Sequence, residues 1–275
     1  MSLRILVDEN IPAAEHFLGA VGQVRYVNGR MIERSQLQSV DVLLVRSVTR
    51  VDEALLSGSP VKFVGTATSG IDHIDRDYLQ RRGIAFAHAP GANANSVVEY
   101  VLAAIATVGD KLEQLLAGGV AGIVGYGNIG KAVAARLAAL NIRYLVYDPW
   151  LDQDAVPCAA ELNQILDCDL VSLHPELTAA QPWPSHHLLG ASELRRLRPD
   201  TLLINASRGQ VIDNSALLAR LEAGRGPLTV LDVWAGEPNI SWDLLQRVTL
   251  GTAHIAGYSL DGKLRATRML SDAVV

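Results

Sequence analysis

Short apolar runs of strand length alternate with helical patterns along nearly the whole chain of 275 residues. Such alternation favours parallel sheets whose two faces are covered by helices, so it predicts an α/β fold. The first set of predicted strands is Ile5–Val7, Val24–Val27, Val42–Val45, Phe63–Thr66 and Ile84–Ala87. The second set is Ala121–Val124, Tyr144–Tyr147, Leu170–Leu173, Leu202–Asn205, Thr229–Val233 and Val248–Gly251. Two sets of this kind predict two doubly wound parallel-sheet domains with a cleft between them.

A long helical pattern from Asn95 to Leu116 separates the two sets and is expected to bridge the domains. The first domain, residues 1–93 with residues 256–275, is predicted to be flavodoxin-like. The second, residues 94–255, has six predicted strands, the number in a complete dinucleotide-binding sheet, and is predicted to be a Rossmann domain. Outside these elements the chain predicts a final helix from Gly262 to Ala273, and loops at Pro149–Pro157 and around Gln181-Pro182-Trp183-Pro184.

The charge and the cysteines exclude several classes of partner. The formal net charge is −5 and no run of basic residues is longer than three, so neither nucleic acid nor an anionic membrane is expected to bind. Cys158 and Cys168 form no CxxC motif or His/Cys cluster, which predicts no metal site and is typical of the reducing cytoplasm. We therefore expect a cytoplasmic protein that acts on a small molecule.

A glycine-rich loop follows one predicted strand and begins a helical pattern. It reads Gly125-Tyr126-Gly127-Asn128-Ile129-Gly130, the GxGxxG motif of dinucleotide-binding folds. The first glycine permits a tight turn, the second lets the backbone approach a pyrophosphate, and the third lets helix and strand pack closely. Asp148, eighteen residues after Gly130 and at the end of the next strand, can accept hydrogen bonds from a ribose diol and would repel a 2′-phosphate. The loop therefore predicts NAD, rather than NADP, as the cofactor.

Three polar residues, Arg208, Glu237 and His254, follow three successive predicted strands of the second domain. Ligands bind at the carboxyl ends of strands in doubly wound sheets, so we expect the three side chains to form one site. Arg208 can hold a carboxylate through paired hydrogen bonds, and His254 can accept the proton of an alcohol that gives up hydride. Glu237 would orient the imidazole and favour its protonated form. Each residue alone is also compatible with a surface ion pair or a loop hydrogen bond, and their shared placement is what favours catalysis.

Polar and small residues also end strands of the first domain. Arg46 and Ser47 follow Val42–Val45, and the segment Thr66-Ala67-Thr68-Ser69-Gly70 ends the next strand. Both segments are therefore placed to contact a ligand.

These residues, with segments at both ends of the chain, resemble the D-isomer-specific 2-hydroxyacid dehydrogenases. The family-wide part comprises the glycine loop, Asn205-Ala206-Ser207-Arg208-Gly209, Leu231-Asp232-Val233-Trp234 with Glu237-Pro238, and His254. Narrower signals are Val7-Asp8-Glu9-Asn10-Ile11-Pro12, Phe63-Val64-Gly65-Thr66-Ala67-Thr68, Asp72-His73, Ala89-Pro90-Gly91 with Val98-Glu99-Tyr100, and the segment from His254 to Lys263. The resemblance covers nearly all of the chain.

The resemblance implies an NAD-dependent oxidation of a 2-hydroxy acid in which Arg208, Glu237 and His254 are catalytic. The narrower segments imply that the acid is phosphorylated, namely 4-phospho-D-erythronate in the synthesis of pyridoxal phosphate. The implied substrate contacts are Ser47, Thr68 and Tyr258, and Arg46 beside them could supply charge. The implied NAD contacts, besides the glycine loop, are Asp148, Ala206, Ser207, Arg208, Asp232 and Gly257.

The sequence departs from the family at two places. Pro175 stands where the family usually has a threonine that contacts the cofactor, and proline offers neither a hydroxyl nor a backbone N–H. The dimerisation domain into which chains of the family continue is absent from this sequence, although the family still implies a homodimer. Two alternatives stay open: 3-phosphoglycerate or another D-2-hydroxy acid as substrate, and, in a different class, a non-enzymatic NADH-sensing binding protein on the same scaffold.

Overall fold

The computed structural model describes residues 2–274, so Met1 and Val275, the outermost residues of the predicted first domain, lie outside the described residues. The chain divides into two compact units, Met1–Asn93 with Tyr258–Val275 and Ala94–Gly257. The second unit ends two residues later than the sequence indicated. The reason is that two hydrogen bonds attach Ala256 to the second unit. The Ala256 N–H donates to Asp232 Oδ2 (2.8 Å), and the Ala256 carbonyl accepts from Ser96 Oγ (2.7 Å).

The secondary structure follows the alternation expected from the sequence. The strands are β1 (Leu3–Asp8), β2 (Gly22–Val27), β3 (Val42–Val45), β4 (Phe63–Thr66), β5 (Ala85–His88), β6 (Val120–Val124), β7 (Arg143–Tyr147), β8 (Leu170–Leu173), β9 (Leu202–Asn205), β10 (Leu228–Leu231) and β11 (Leu250–Gly251). The helices are α1 (Ala14–Leu18), α2 (Glu53–Leu56), α3 (Arg76–Arg81), α4 (Ala94–Thr107), α5 (Lys111–Leu116), α6 (Asn128–Ala139), α7 (Leu162–Leu166), α8 (Ala191–Arg196), α9 (Asn214–Glu222), α10 (Trp242–Arg247) and α11 (Leu260–Val274). Among residues 2–274 no helix is long and apolar enough to cross a membrane.

The first unit is built on a five-stranded parallel sheet with the order β2-β1-β3-β4-β5. This is the predicted flavodoxin-like order, which reverses direction between β1 and β3. Successive side chains of a strand point to opposite faces, so in β1 Leu6 packs into one apolar cluster while Ile5 and Val7 pack into another. Each such buried aliphatic side chain stabilises the fold by roughly 1.5–3 kcal/mol. Leu270 of α11 joins the second cluster, which attaches this C-terminal helix to the sheet.

The second unit is built on a six-stranded parallel sheet with the order β11-β10-β9-β8-β6-β7. The glycine loop follows β6, and the strand order reverses between β6 and β8, the place where such sheets bind dinucleotides. The usual Rossmann order has two strands beyond the first, but here the position next to β7 holds a single parallel bridge between Val146 and Ala159. The predicted number of six strands is confirmed. The sixth strand is β11, at the opposite edge of the sheet, and not a strand next to β7.

Several predicted boundaries were wrong. The helix expected from Asn95 to Leu116 is broken into α4 and α5, because Gly109 between them has φ +56°, a left-handed conformation that ends a helix. The expected loop Pro149–Pro157 contains one 3₁₀ turn at Gln153–Ala155. Strand β10 stops at Leu231, two residues before the predicted end, and β11 has only two residues. The side chain of Asp232, described below, holds the backbone that follows these strands.

Candidate active site

The three glycines of the glycine loop have different surroundings. Gly125 has φ +88°, and a Cβ on it would lie 2.7 Å from the nitrogen of Pro175. A Cβ on Gly130, in the first turn of α6, would overlap the carbonyl oxygen of Gly125. No atom lies within 4 Å of the place where Gly127 would carry a Cβ. Packing thus requires glycine at the first and third positions, while the second leaves the backbone open, and this geometry fits a pyrophosphate.

The N-terminus of α6 and Asp148 complete this part of the site. Gly127 caps the helix without a side-chain hydrogen bond, and the first turn has no acidic residue, so the helical N–H groups are suited to an anion. Asp148 Oδ2 accepts from Tyr126 N (2.8 Å) and Oδ1 accepts from Trp150 N (3.1 Å). The carboxylate therefore ties the end of β7 to the glycine loop and keeps further lone pairs for the ribose hydroxyls expected there.

Pro175 and its neighbour His174 support the glycine loop from the end of β8. His174 N donates to Val124 O (2.7 Å), and its Nε2 lies 2.9 Å from Ser172 Oγ. Burial lowers the pKa of His174 to about 4, so the ring is neutral near pH 7. Pro175 packs against Gly125 but has no hydroxyl or N–H to donate, and the consequence for cofactor binding stays a prediction.

The loop that carries Arg208 is built by a buried amide, Asn205, at the end of β9. Its Oδ1 accepts from Ser207 N (3.1 Å) and Ser207 Oγ (2.9 Å), and its Nδ2 donates to Arg208 O (2.9 Å). Because buried polar groups require such partners, these bonds fix the backbone from Asn205 to Arg208. The Arg208 guanidinium turns back onto the same loop, where Nη1 donates to Ser207 O (2.8 Å).

The loop after β10 packs against the Arg208 loop at Gly209. A Cβ on Gly209 would overlap the backbone of Trp234 and Ala235, so only glycine permits this approach. Asn214 joins the same two segments: its Nδ2 donates to Gly209 O (3.1 Å) and its Oδ1 accepts from Ala235 N (3.1 Å). The loop that carries Glu237 is thereby fixed beside the loop that carries Arg208.

A buried carboxylate, Asp232, positions His254. Its Oδ1 accepts from Thr252 Oγ1 (2.6 Å) and Ile255 N (2.7 Å), and its Oδ2 accepts from Ala256 N (2.8 Å). Its backbone carbonyl accepts from His254 N (2.8 Å). His254 has φ +55°, which a residue other than glycine adopts only when its surroundings support it. Asp232 is 1% exposed, so what the structure shows is a positioning residue, and the NAD contact expected of it stays a prediction.

Glu237 and His254 form a hydrogen-bonded pair. Glu237 Oε2 lies 2.8 Å from His254 Nδ1, and Glu237 Oε1 accepts from Trp234 N (2.6 Å). A carboxylate only accepts, so Nδ1 carries the hydrogen, and Nε2 of the neutral ring has the lone pair. The hydrogen bond to Glu237 raises the pKa of His254 against the opposing effect of burial. Burial raises the pKa of Glu237, but the hydrogen bonds from His254 and Trp234 outweigh it, and the net shift is downward.

The structure brings together the three residues that the sequence grouped. Arg208, Glu237 and His254 line one open pocket of about 140 Å³. The other lining residues are Gly209, Gln210, Val233, Trp234 and Gly236. The positive charge of Arg208 contributes to lowering the pKa of both Glu237 and His254, so the guanidinium acts electrostatically on the pair. About half of the His254 side chain, 51%, is exposed, which leaves the ring accessible to a substrate.

The remaining predicted cofactor residues lie close to these loops. Asn128 and Ile129 form the first turn of α6. Ala206 and Ser207 are buried in the Arg208 loop, and Gly257 ends the second unit.

The candidate substrate residues of the first unit differ in what they already bind. Ser47 follows β3, is exposed, and its hydroxyl has no hydrogen-bond partner among residues 2–274. Arg46 Nε donates to Oδ2 of the buried Asp8 at 3.2 Å. Thr68 Oγ1 donates to Gly70 O (2.7 Å), so this bond would have to break before Thr68 could donate to a ligand. Of these hydroxyls, Ser47 is thus the one ready to bind.

Tyr258 is 61% exposed, and Lys263 lies over its ring. Sequence reasoning missed Lys263 as a functional candidate; its position five residues after Tyr258, at the start of a predicted helix, was the available signal.

Sequence reasoning also missed Asn205 and Trp234 as residues that position the site. A polar residue ending an apolar strand could have pointed to Asn205, whereas nothing in the sequence indicates that the Trp234 N–H meets Glu237.

A family model described as the D-isomer specific 2-hydroxyacid dehydrogenase NAD binding domain matches residues 103–256. That range contains the glycine loop and Asp148, and also Arg208, Glu237 and His254. The chain belongs to the D-isomer specific 2-hydroxyacid dehydrogenases. Membership of this family confirms the predicted NAD-binding domain, NAD as cofactor and the dehydrogenase class.

Relatives within the family include erythronate-4-phosphate dehydrogenases. The protein of that name from Marinobacter nauticus is 49% identical over 98% of this chain and 71% of its own length, and the one from Cellvibrio japonicus is 46% identical over the same shares. Among solved structures, D-lactate dehydrogenase from Aquifex aeolicus, complexed with NAD and lactic acid, has a TM-score of 0.80 at 24% identity, covering 98% of this chain and 94% of that one. NAD-bound 3-phosphoglycerate dehydrogenase from Entamoeba histolytica has a TM-score of 0.84 at 20% identity, covering 100% and 94%. At these identities the solved structures show the shared fold.

Proposed function

We propose that this chain oxidises 4-phospho-D-erythronate to 3-hydroxy-2-oxo-4-phosphooxybutanoate with NAD as the hydride acceptor. The substrate is supported by relatives named erythronate-4-phosphate dehydrogenase that are 45–49% identical over 98% of the chain. The observation that carries the chemistry is the 2.8 Å bond between His254 Nδ1 and Glu237 in the pocket that Arg208 also lines. An oriented base beside a fixed cation is what oxidation of a 2-hydroxy acid requires.

Arg208 holds the substrate carboxylate in this proposal. A guanidinium presents parallel N–H donors whose spacing matches the two oxygens of a carboxylate. The bonds of Asn205 fix the Arg208 loop, so the carbon that bears the 2-hydroxyl is held in a defined position relative to His254.

His254 Nε2 accepts the hydroxyl proton, because Nδ1 is committed to Glu237. Bound NAD supplies the hydride acceptor. The alcohol loses its hydroxyl proton to His254, and its hydride would pass to the NAD that the glycine loop and Asp148 would hold; reduction would reverse both transfers. The ring becomes an imidazolium as the proton arrives, and the charge-assisted hydrogen bond to Glu237 stabilises it.

The decisive experiment follows nicotinamide absorbance with 4-phosphoerythronate, 3-phosphoglycerate and D-lactate side by side. We expect the highest kcat/KM with 4-phosphoerythronate. Turnover with 3-phosphoglycerate alone would show that the proposed substrate is wrong. NAD binding without oxidation of any hydroxy acid would favour the non-enzymatic NADH-sensing protein instead. The homodimer also stays a prediction, which light scattering on the purified chain tests.

A further inference from the structure

The start of α11 carries an exposed aromatic residue paired with a cation. Lys263 Nζ lies 3.5 Å from the centroid of the Tyr258 ring. Lys263 belongs to the first turn of the helix, where its N–H donates to Ser259 O (3.1 Å). This turn lies against the segment after β5, since a Cβ on Gly262 would be 3.4 Å from Ala92 O. The pair is therefore at the carboxyl edge of the first sheet, where sheets of this type bind ligands.

Lys263 brings to this edge a positive charge that no carboxylate of residues 2–274 neutralises in an ion pair; even Asp261, in the same helical turn, forms none with it. Arg46, at the end of β3, differs in this respect. Its Nε is bonded to the fully buried Asp8, so much of its charge is compensated. An anion that reaches this edge therefore meets at Lys263 a positive charge that is not already compensated.

The position of Lys263 is unfavourable for the helix itself. The N-terminus of a helix is positive, so a cation in the first turn destabilises it. Holding a flexible lysine side chain over a ring also removes rotamer freedom. The first disadvantage is reversed when an anion binds, because the ammonium and the helical N–H groups then act on it together. The second is already met in the free protein, so an ordered ammonium loses little further rotamer freedom on binding.

Tyr258 adds a hydroxyl to the same place. The pKa of Tyr258 is lowered chiefly by the neighbouring Lys263 ammonium and, less strongly, by the charge of Arg46. The phenol oxygen thus lies in a positive field, and its O–H can donate to a phosphate oxygen.

We propose that Lys263 Nζ and the Tyr258 hydroxyl bind the phosphate group of the substrate, with the Tyr258 ring holding the ammonium in position. This inference rests on the proposed function for the identity of the substrate. It adds the group that makes the enzyme prefer a phosphorylated hydroxy acid over one without phosphate. Lysine suits this task because its compact charge can approach phosphate oxygens from several directions.

The test compares Lys263→Met with Arg265→Met, a matched control that removes one exposed cation from the same helix. With 4-phosphoerythronate we expect KM to rise roughly tenfold to a hundredfold in Lys263→Met, the effect of losing a charged hydrogen bond, with less change in kcat. The drop in kcat/KM should be larger for the phosphorylated acid than for D-erythronate. Lys263→Arg should restore part of the loss, which shows that charge and not folding is responsible.

Inorganic phosphate separates this inference from the proposed function. Its binding is measured by calorimetry on the whole chain, and we expect it to weaken in Lys263→Met but not in Arg265→Met. If the wild type does not oxidise 4-phosphoerythronate yet binds phosphate through Lys263, the function fails and the anion site stands. If the wild type is active and Lys263→Met keeps both its KM and its phosphate affinity, the inference is overturned and the function stands. A wild type that neither turns over the substrate nor binds phosphate overturns both.

Discussion

Replacing Glu237 by glutamine preserves the size of the side chain but should be severe, because the carboxylate serves two donors. Trp234 N–H binds one oxygen at 2.6 Å and His254 Nδ1–H binds the other at 2.8 Å. A glutamine has one acceptor and one donor. If its oxygen stays with Trp234, its NH₂ faces Nδ1, which must then lose its hydrogen. The hydrogen moves to Nε2, and the lone pair that accepts the substrate proton is gone.

The opposite amide orientation restores the base only at a cost. The NH₂ then faces the N–H of Trp234, and an unmet buried N–H costs about 1–3 kcal/mol. In either orientation the imidazolium loses the negative charge of its partner, and a hydrogen bond to a charged group is worth roughly 1.5–3 kcal/mol. With about 1.4 kcal/mol for each factor of ten in rate, we expect kcat/KM for oxidation to fall on the order of 10²- to 10⁴-fold.

Glu237→Ala is the informative comparison. About a third of the Glu237 side chain, 33%, is exposed, so water can replace it and either ring nitrogen of His254 can carry the hydrogen. The smaller alanine should therefore be no more damaging than the isosteric glutamine. Rates are measured by NADH absorbance, and ¹⁵N spectra of labelled histidine report which nitrogen is protonated. A glutamine variant within threefold of the wild type, or one clearly faster than the alanine variant, would refute the reasoning.

Four further outcomes are expected. Arg208→Lys should lower kcat/KM by tenfold or more, since one ammonium cannot replace paired N–H donors, and steady-state kinetics would show this mainly in KM. Oxidation by the wild type should rise with pH through a pKa above 6.5, the ordinary value for histidine, because the carboxylate partner raises the pKa of His254 and the base must be neutral; reduction should fall through the same pKa. Gly130→Ala should destabilise the fold by about 1–3 kcal/mol, seen as a lower Tm, whereas Gly127→Ala should keep the Tm and weaken NAD binding in a calorimetric titration. Asp148→Ser should shift the ratio of kcat/KM for NADP over NAD upward by about tenfold or more, because the repulsion of the 2′-phosphate is removed.

Most of the fold could be predicted because the apolar pattern of the sequence marks the buried strands and helices directly. Leu170–Leu173 and Leu202–Asn205 were predicted with the bounds that β8 and β9 have, since buried parallel strands are continuous apolar runs. The break between α4 and α5 was missed because an isolated glycine in a helical pattern often stays helical, and only the backbone shows the positive φ of Gly109. The bridge at Ala159 was missed for a related reason, since one pair of hydrogen bonds leaves no pattern in the sequence.

The candidate site, like the fold, could be predicted from the sequence only in part. Arg208, Glu237 and His254 could be grouped because the ends of parallel strands share one edge of a sheet. What places them could not be predicted: the three side-chain bonds of Asp232, the amide of Asn205 and the N–H of Trp234 join positions that no periodicity relates. Such bonds depend on the direction of each buried polar group, which is settled only when the loops have packed.

The two proposals assign the chemistry and the choice of substrate to different units of this chain. The pocket of Arg208, Glu237 and His254 belongs entirely to residues 94–257, and its groups address a carboxylate and an alcohol, which every 2-hydroxy acid has. Nothing in that pocket distinguishes a phosphorylated acid from lactate. The uncompensated charge of Lys263 and the hydroxyls of Tyr258 and Ser47 belong to the other unit, whose sheet brings the loops after β3 and β5 to one edge. We therefore expect a change of substrate to follow from changes in the first unit, while the base, its carboxylate partner and the guanidinium stay the same.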